Sequence, residues 1–141
     1  NPYTAPLKTN QMDKLKILIV EDDEISLEFI KMAIKDFAEQ ILIANDGLEA
    51  VHACRNNPDI DLILMDIKMP EMDGYKATEK IREFNTDVII IAQTAFALSS
   101  DKEKIIEAGC NDVITKPIAK DKLMEMVQKY FEKKVTEKKY S

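Results

Sequence analysis

Glu21-Asp22, Asp66, Thr94 and Lys116 are an acid pair, an acid, a hydroxyl and an amine, and each stands at or just past the end of a short apolar run. An unbroken apolar run bounded by turn signals suits a strand covered on both faces of a sheet. If such strands are parallel, their C-terminal ends share one edge, where open α/β sheets gather ligands and chemistry. Three carboxylates brought together there repel one another and raise each other's pKa unless a cation joins them. Mg²⁺ takes oxygen ligands and commonly uses a few carboxylates, retained waters and a phosphate. With the charge balanced, one carboxylate can act as a nucleophile toward phosphorus. Lys116 and Thr94 can then each serve an oxygen of the transferred phosphoryl group. Taken singly the signals are weak, because an Asp after a strand is commonly a turn former and acids at a helix start commonly face its dipole. Their placement at four strand ends is what carries weight.

The elements that must position these groups follow in strict alternation. Ile17–Val20 reads as a first buried strand, followed by four consecutive acids and an amphipathic helix with Ile25, Leu27, Phe29, Ile30, Ala33, Ile34 and Phe37 on its apolar face. Ile41–Ala44 is a second strand, and Asn45-Asp46-Gly47 turns into a helix through Leu48, Val51 and Cys54 that closes at Asn56-Asn57-Pro58. Leu62–Met65 runs straight into Asp66, after which Met69-Pro70 and Asp73-Gly74 supply turn chemistry. A third helix spans about Tyr75 to Phe84, and the β-branched run Val88–Ala92 is the fourth strand. Ser100 and Glu103 form a capping-box pattern for a fourth helix that stops at Ala108-Gly109. Asp112–Thr115 is the fifth strand, and a last helix from about Lys120 to Lys133 buries Leu123, Met124, Val127, Tyr130 and Phe131. Five β-α units with right-handed crossovers make a parallel sheet with helices on both faces. The pattern leaves strand orders 2-1-3-4-5 and 3-2-1-4-5 open; in the first, strands one, three, four and five are neighbours and the chemical groups converge.

Composition narrows the field. A chain of 141 residues, 45% hydrophobic and 33% charged, is long enough for one domain with a real core. No apolar run approaches the roughly 20 residues that span a bilayer, and no signal-peptide pattern opens the chain. A net charge of −6 without a basic cluster argues against direct nucleic-acid binding. Cys54 and Cys110 lack CxxC spacing and read as reduced packing residues, in keeping with a cytoplasmic setting and no membrane contact. Residues 1–15 carry two prolines and no hydrophobic period and read as a linker or disordered N-terminus; residues 16–133 form the domain and 134–141 a solvated tail. The first residue is Asn rather than Met, which suggests a piece of a longer or processed chain.

The motifs Ile-Leu-Ile-Val-Glu-Asp-Asp (17–23), Leu-Met-Asp-Ile-Lys-Met-Pro-Glu-Met-Asp-Gly (64–74), Ile-Ala-Gln-Thr-Ala (91–95) and Ile-Thr-Lys-Pro-Ile (114–118) resemble the receiver domain of two-component response regulators, over about residues 15–133. The resemblance implies a flavodoxin-like (βα)5 doubly wound sheet of order 2-1-3-4-5. It makes Asp66 the phosphoacceptor for a phosphoryl group delivered from phosphohistidine on a histidine kinase or phosphotransfer domain, and makes the chain a phosphoacceptor rather than an enzyme. It assigns Asp22 as a direct ligand of Mg²⁺ (or Mn²⁺), Glu21 as its acidic neighbour holding metal through water, and Lys68 as the donor of a backbone carbonyl to the metal. Thr94 and Lys116 would bind phosphoryl oxygens, while Asp23 falls one place too late for the acid pair and reads as a helix-start acid. The surface formed by the fourth helix, fifth strand and fifth helix is the family's output face and the expected place for docking or dimerisation. In the family, the places two beyond the phosphoacceptor and the hydroxyl tune hydrolysis; here they are Lys68 and Phe96, which together imply a long-lived phosphoryl group.

Two places depart from the family pattern. Val113 stands where a Tyr or Phe ring usually swings inward, and a valine has a stiff χ1 and no ring to move. Gln93 replaces an apolar residue before Thr94 and reads as a polar group at the edge of the site. Other functions fit less well. A phosphatase of the haloacid dehalogenase type needs a second Asp two residues after its nucleophile, where this chain has Lys68. A phosphorylation-independent interaction module would not need the intact acid, hydroxyl and amine set. The Lys-Pro-Ile ending and the linker-like start favour the receiver of a hybrid sensor histidine kinase over a stand-alone regulator. His52 is the only histidine and lies mid-helix, so it reads as a surface residue. Asp59 and Asp61 precede the third strand, and Asp61 is roughly 16 Å from Asp66 along an extended chain, at the opposite sheet end. The seven methionines read as packing residues.

Overall fold

β-branched and leucine-rich runs dictate the centre of the molecule, because strands covered on both faces have no polar side to present. The computed structural model describes residues 15–68, 72–95 and 99–131 in full and follows the backbone of the last helix to Tyr140. Among these residues five strands alternate with five helices: β1 (Leu15–Val20), α1 (Glu24–Ile34), β2 (Ala38–Ala44), α2 (Gly47–Asn56), β3 (Leu62–Asp66), α3 (Gly74–Arg82), β4 (Ile89–Thr94), α4 (Ser99–Ala108), β5 (Asp112–Thr115) and α5 (Lys120–Tyr140). The sheet is wholly parallel with order β2-β1-β3-β4-β5. It is the flavodoxin-like arrangement, and it puts β1, β3, β4 and β5 side by side.

Alternation of side chains divides the core in two. Leu18, Val20, Ile63, Met65, Ile90 and Ala92 face α2, α3 and α4, where they meet Val51, Cys54, Ala77, Ile81 and Ile105. Ile17, Ile19, Leu62, Leu64, Ile91 and Ile114 face α1 and α5, where they meet Ile30, Ala33, Ile34, Leu123, Val127 and Phe131. Each buried aliphatic side chain contributes on the order of 1.5–3 kcal/mol.

Several elements differ from the sequence expectation, each for a local reason. β2 starts at Ala38 rather than Ile41, because it is an edge strand in which Glu39 and Gln40 can be solvent-facing while Ala38 and Gln40 pair with β1 and Glu39 falls at a register shift. In α1, Ile30, Ala33 and Ile34 are buried and Phe37 packs just beyond the helix end, but Ile25 and Phe29 lie 70% and 62% exposed. With Met32, also exposed, they form an apolar ridge on the outer side of the helix, so Met32 is not the packing residue that spacing suggested. Ser100 lies inside α4, whose first residue is Ser99, so it does not cap that helix. α5 runs on to Tyr140, past the expected end at Lys133. Its inner face is as expected, with Leu123, Val127 and Phe131 buried and Met124 and Tyr130 partly so. Residues 1–14 and Met69-Pro70-Glu71 lie outside the described residues, as does Phe96. Among the described residues, no helix is long and apolar enough to cross a membrane.

Candidate functional site

The C-terminal strand edge is built by residues that cannot continue the sheet. β1 ends at Val20 and delivers Glu21, whose backbone N–H is held by the Ala44 carbonyl at the end of β2. β3 ends on Asp66 itself, paired in register with Gln93 of β4. The Ile67 N–H donates to the Gln93 carbonyl, and the Lys116 N–H donates to the Thr94 carbonyl, so the segments leaving β3 and β5 are tied to β4. The loop after Asp66 is held by tight packing. Gly74 donates its N–H to the Ile67 carbonyl, and a Cβ there would come within 2.5 Å of the Asp66 carbonyl oxygen. Gly47 is pressed against the Met72 carbonyl, which its N–H also meets, leaving no room for a side chain. A glycine is required at both positions by close backbone approach rather than by φ.

At the edge itself the geometry is close. Lys116 Nζ donates to Glu21 Oε1 at 2.8 Å and to Asp66 Oδ2 at 3.2 Å, bridging residues from β1 and β3 with one charge. Asp66 Oδ1 accepts the Lys68 N–H at 3.2 Å, so both oxygens of this nearly buried carboxylate are engaged. Glu21 is 1% exposed, and its other oxygen accepts the Asp23 N–H. Burial raises the Glu21 pKa, and the neighbouring Asp66 charge adds to it; the Lys116 and Asp23 hydrogen bonds pull the other way without cancelling the rise. Burial acts to lower the Lys116 pKa, but its bond to Glu21 and the charges of Asp66 and Glu21 hold it above the ordinary lysine value. Asp23 caps α1 through the Ser26 N–H at 2.8 Å, and that bond depresses its pKa. It is a helix-start acid, as its spacing indicated.

Oxygens of Glu21, Asp22 and Asp66 all lie within 4.8 Å of one another, with Asp22 on the exposed side of the group. The donor set is all hard oxygen, it is open to solvent through Asp22, and Lys116 sets one positive charge against its carboxylates. Those features fit a divalent cation of the Mg²⁺ class. Of the expected site residues, Glu21, Asp66 and Lys116 are in direct contact; Asp22 joins the oxygen cluster, and the Lys68 backbone reaches Asp66. Thr94 ends β4 next to Thr115 in register and is half-buried. Phe96, expected to shield the site with Lys68, lies outside the described residues.

Gln93 stands beside the site, as expected, paired in register with Asp66 and lining a pocket with Lys116. Its side chain is nevertheless fully covered, 0% exposed, on the α1/α5 side of the sheet. Two-residue alternation from buried Ile91 on the same strand was the signal that could have placed it. Val113 is half-buried and packs on the α2–α4 side of the core. Residues set aside on sequence grounds lie away from this edge. His52 is on the exposed surface of α2, while Asp59 and Asp61 pair with Lys16 at the N-terminal end of β1.

Comparison with known proteins gives a consistent picture. The family model described as the response regulator receiver domain matches residues 17–128. The sensor histidine kinase RcsC of Salmonella typhi is 32% identical over 130 residues, which is 92% of this chain and 14% of the relative. The hybrid signal transduction histidine kinase B of Dictyostelium discoideum is 38% identical over 129 residues, 82% of this chain and 6% of the relative. The chain thus spans about one-seventh or less of the curated relatives it matches. Among solved structures, the receiver domain of sensor histidine kinase PA1611 from Pseudomonas aeruginosa, with magnesium coordinated in its active-site cleft, is 33% identical. Its TM-score is 0.74, with 84% of this chain and 98% of that one covered. The complex of the Saccharomyces cerevisiae phosphotransfer protein Ypd1 with the receiver domain of Ssk1 gives a TM-score of 0.78 at 29% identity, covering 85% and 90%.

Proposed function

The chain belongs to the response regulator receiver domain family, and from that premise we propose that it accepts a phosphoryl group from a phosphohistidine onto Asp66. An Asp66 carboxylate oxygen attacks phosphorus, the P–O bond forms as the P–N bond breaks, and the imidazole leaves with its proton. The product is an acyl phosphate on Asp66. A bound Mg²⁺ or Mn²⁺, held by Glu21, Asp22, Asp66 and the Lys68 carbonyl, would neutralise the crowded carboxylates and the phosphoryl oxygens. Lys116 is already bonded to Asp66 and turns to an oxygen of the new phosphoryl group, with Thr94 serving another. In this reading the chain is a phosphoacceptor that turns nothing over, and the phosphorylated form presents an altered surface to its partners.

The observation that carries the proposal is the Lys116 bridge between buried Glu21 and Asp66, beside an oxygen cluster open on one side. Partner, metal and context are read with it. A histidine kinase or phosphotransfer domain is the donor, supported by the likeness to the receiver seen with Ypd1. Magnesium is supported by the likeness to the PA1611 receiver. The parent is a hybrid sensor histidine kinase with this domain in the cytoplasm, supported by relatives several times longer than the chain. The α4–β5–α5 face, with Ile106 half-exposed on α4, is the proposed surface for dimerisation or output. Incubation with acetyl phosphate and Mg²⁺, followed by intact-mass measurement, should show one added phosphoryl group in the wild type and none in Asp66→Asn. An unmodified wild type under conditions that phosphorylate a control receiver would reject the reading.

A further inference from the structure

Between α1 and the turn after β5 lies a pocket of about 50 Å³, lined by Phe29, Ile30, Gln93, Lys116 and Ile118 with Ser26 at one side. Its lining is mostly apolar. A water needs roughly 10–15 Å³ of such space, so the pocket can admit a fragment of a few heavy atoms. Gln93 stands out in it. The side chain is 0% exposed, and neither its amide oxygen nor its amide nitrogen has a hydrogen-bond partner, the sole such buried side chain among the described residues. Phosphoryl transfer makes no use of a carboxamide at this place, and an unpaired buried amide is a cost that a pairing group removes.

The chemistry of an occupant follows from the walls. A carboxamide offers an acceptor and two N–H donors, so its complement carries both a donor and an acceptor. The Lys116 amine is spent on Glu21 and Asp66, and an anion would have to approach those carboxylates. Apart from Ser26 at one side, the remaining walls are apolar. Phe29, which lines the pocket, is 62% exposed. We propose that this pocket binds a small neutral amphiphile whose amide end pairs with Gln93 and whose apolar end rests on Phe29, Ile30 and Ile118. Because Lys116 lines the pocket and also pairs with Asp66, an occupant sits one side chain from the carboxylate. The site stands whether or not Asp66 accepts phosphate, so its test uses no metal and no phosphodonor.

Isobutyramide is titrated into the isotope-labelled chain and followed by NMR at the Gln93 side-chain NH₂ and at Phe29 and Ile118. Saturable shifts at millimolar ligand, with Overhauser contacts from the ligand methyls to Phe29 and Ile118, are expected. Gln93→Leu should weaken binding about tenfold, the equivalent of a lost hydrogen-bonded pair. Gln93→Met takes its place if the first variant does not fold. Linear, non-saturating shifts, equal binding by the variant, or a Gln93 NH₂ that contacts only bound water at every ligand concentration would overturn the proposal.

Discussion

Replacing Gln93 with Leu should make the protein more stable, although Gln93 is one of the most deeply buried side chains beside the site. The wild-type side chain carries a carboxamide into the α1/α5 half of the core and pairs neither end of it. Mutational data put the cost of an unpaired buried amide at about 1–3 kcal/mol. Leucine has nearly the same volume and meets Ile30 and Ile118 with apolar surface, at the cost of reshaping that takes back about 1 kcal/mol. The net expectation is a gain of about 1 kcal/mol. For a chain of 141 residues each kcal/mol moves the melting temperature by about 3–4 °C, so the rise should be about 3–4 °C. Urea unfolding supplies the check, with the midpoint moving up and the slope unchanged. A Gln93→Leu protein no more stable than wild type would show that the amide is satisfied in solution, and would refute the reasoning from its burial.

Three further outcomes can be measured. Glu21 has a folded pKa above its ordinary 4.5, so in the window between the two values the folded state binds the proton more tightly than the unfolded chain. Its contribution to stability therefore falls as pH rises through that window, and Glu21→Gln should gain on wild type over the same range; parallel urea midpoints across pH would contradict the assignment. Gly74→Ala should cost about 1–3 kcal/mol, because its Cβ would press on the Asp66 carbonyl, and thermal melts will show whether the loop can yield instead. Cys54 is buried with its thiol pushed up to about 11, and burial raises Cys110 as well, so at pH 8 only about a thousandth of Cys54 is thiolate. Both should resist iodoacetamide in the native state and react in urea; rapid native alkylation would mean that the helix α2 side of the core opens readily.

The parts of this fold that were legible in sequence are those where one physical requirement dominates. β1 and β3 are covered on both faces, so Ile17–Val20 and Leu62–Met65 had to be continuous apolar runs, and the residue ending each run had to stand at the sheet edge. The edge positions of Glu21 and Asp66 are therefore legible in the sequence itself. Strand order was not legible from pattern, because alternation dictates parallel pairing without saying which strand is central. β2 was cut short because an edge strand tolerates Glu39 and Gln40, whose polarity resembles a loop. Ile25 and Phe29 misled for the opposite reason: helical spacing counts apolar residues without saying which of them lie beyond the arc that the sheet can cover. The burial of Gln93 was not legible because a polar residue near a site suggests solvent, whereas strand alternation from Ile91 turns it inward. That one residue links the account's strongest stability expectation to its new binding site.

The central claim is that Asp66, and no other acid in the cluster, receives the phosphoryl group. Borohydride reduces an acyl phosphate to an alcohol and leaves free carboxylates alone, so it marks the phosphorylated residue covalently. After treatment with a phosphohistidine donor and Mg²⁺, reduction and peptide mass spectrometry should find homoserine at position 66 and unchanged residues at 21 and 22. Conversion at Glu21 or Asp22, or no conversion anywhere while the donor loses its phosphate, would contradict the account.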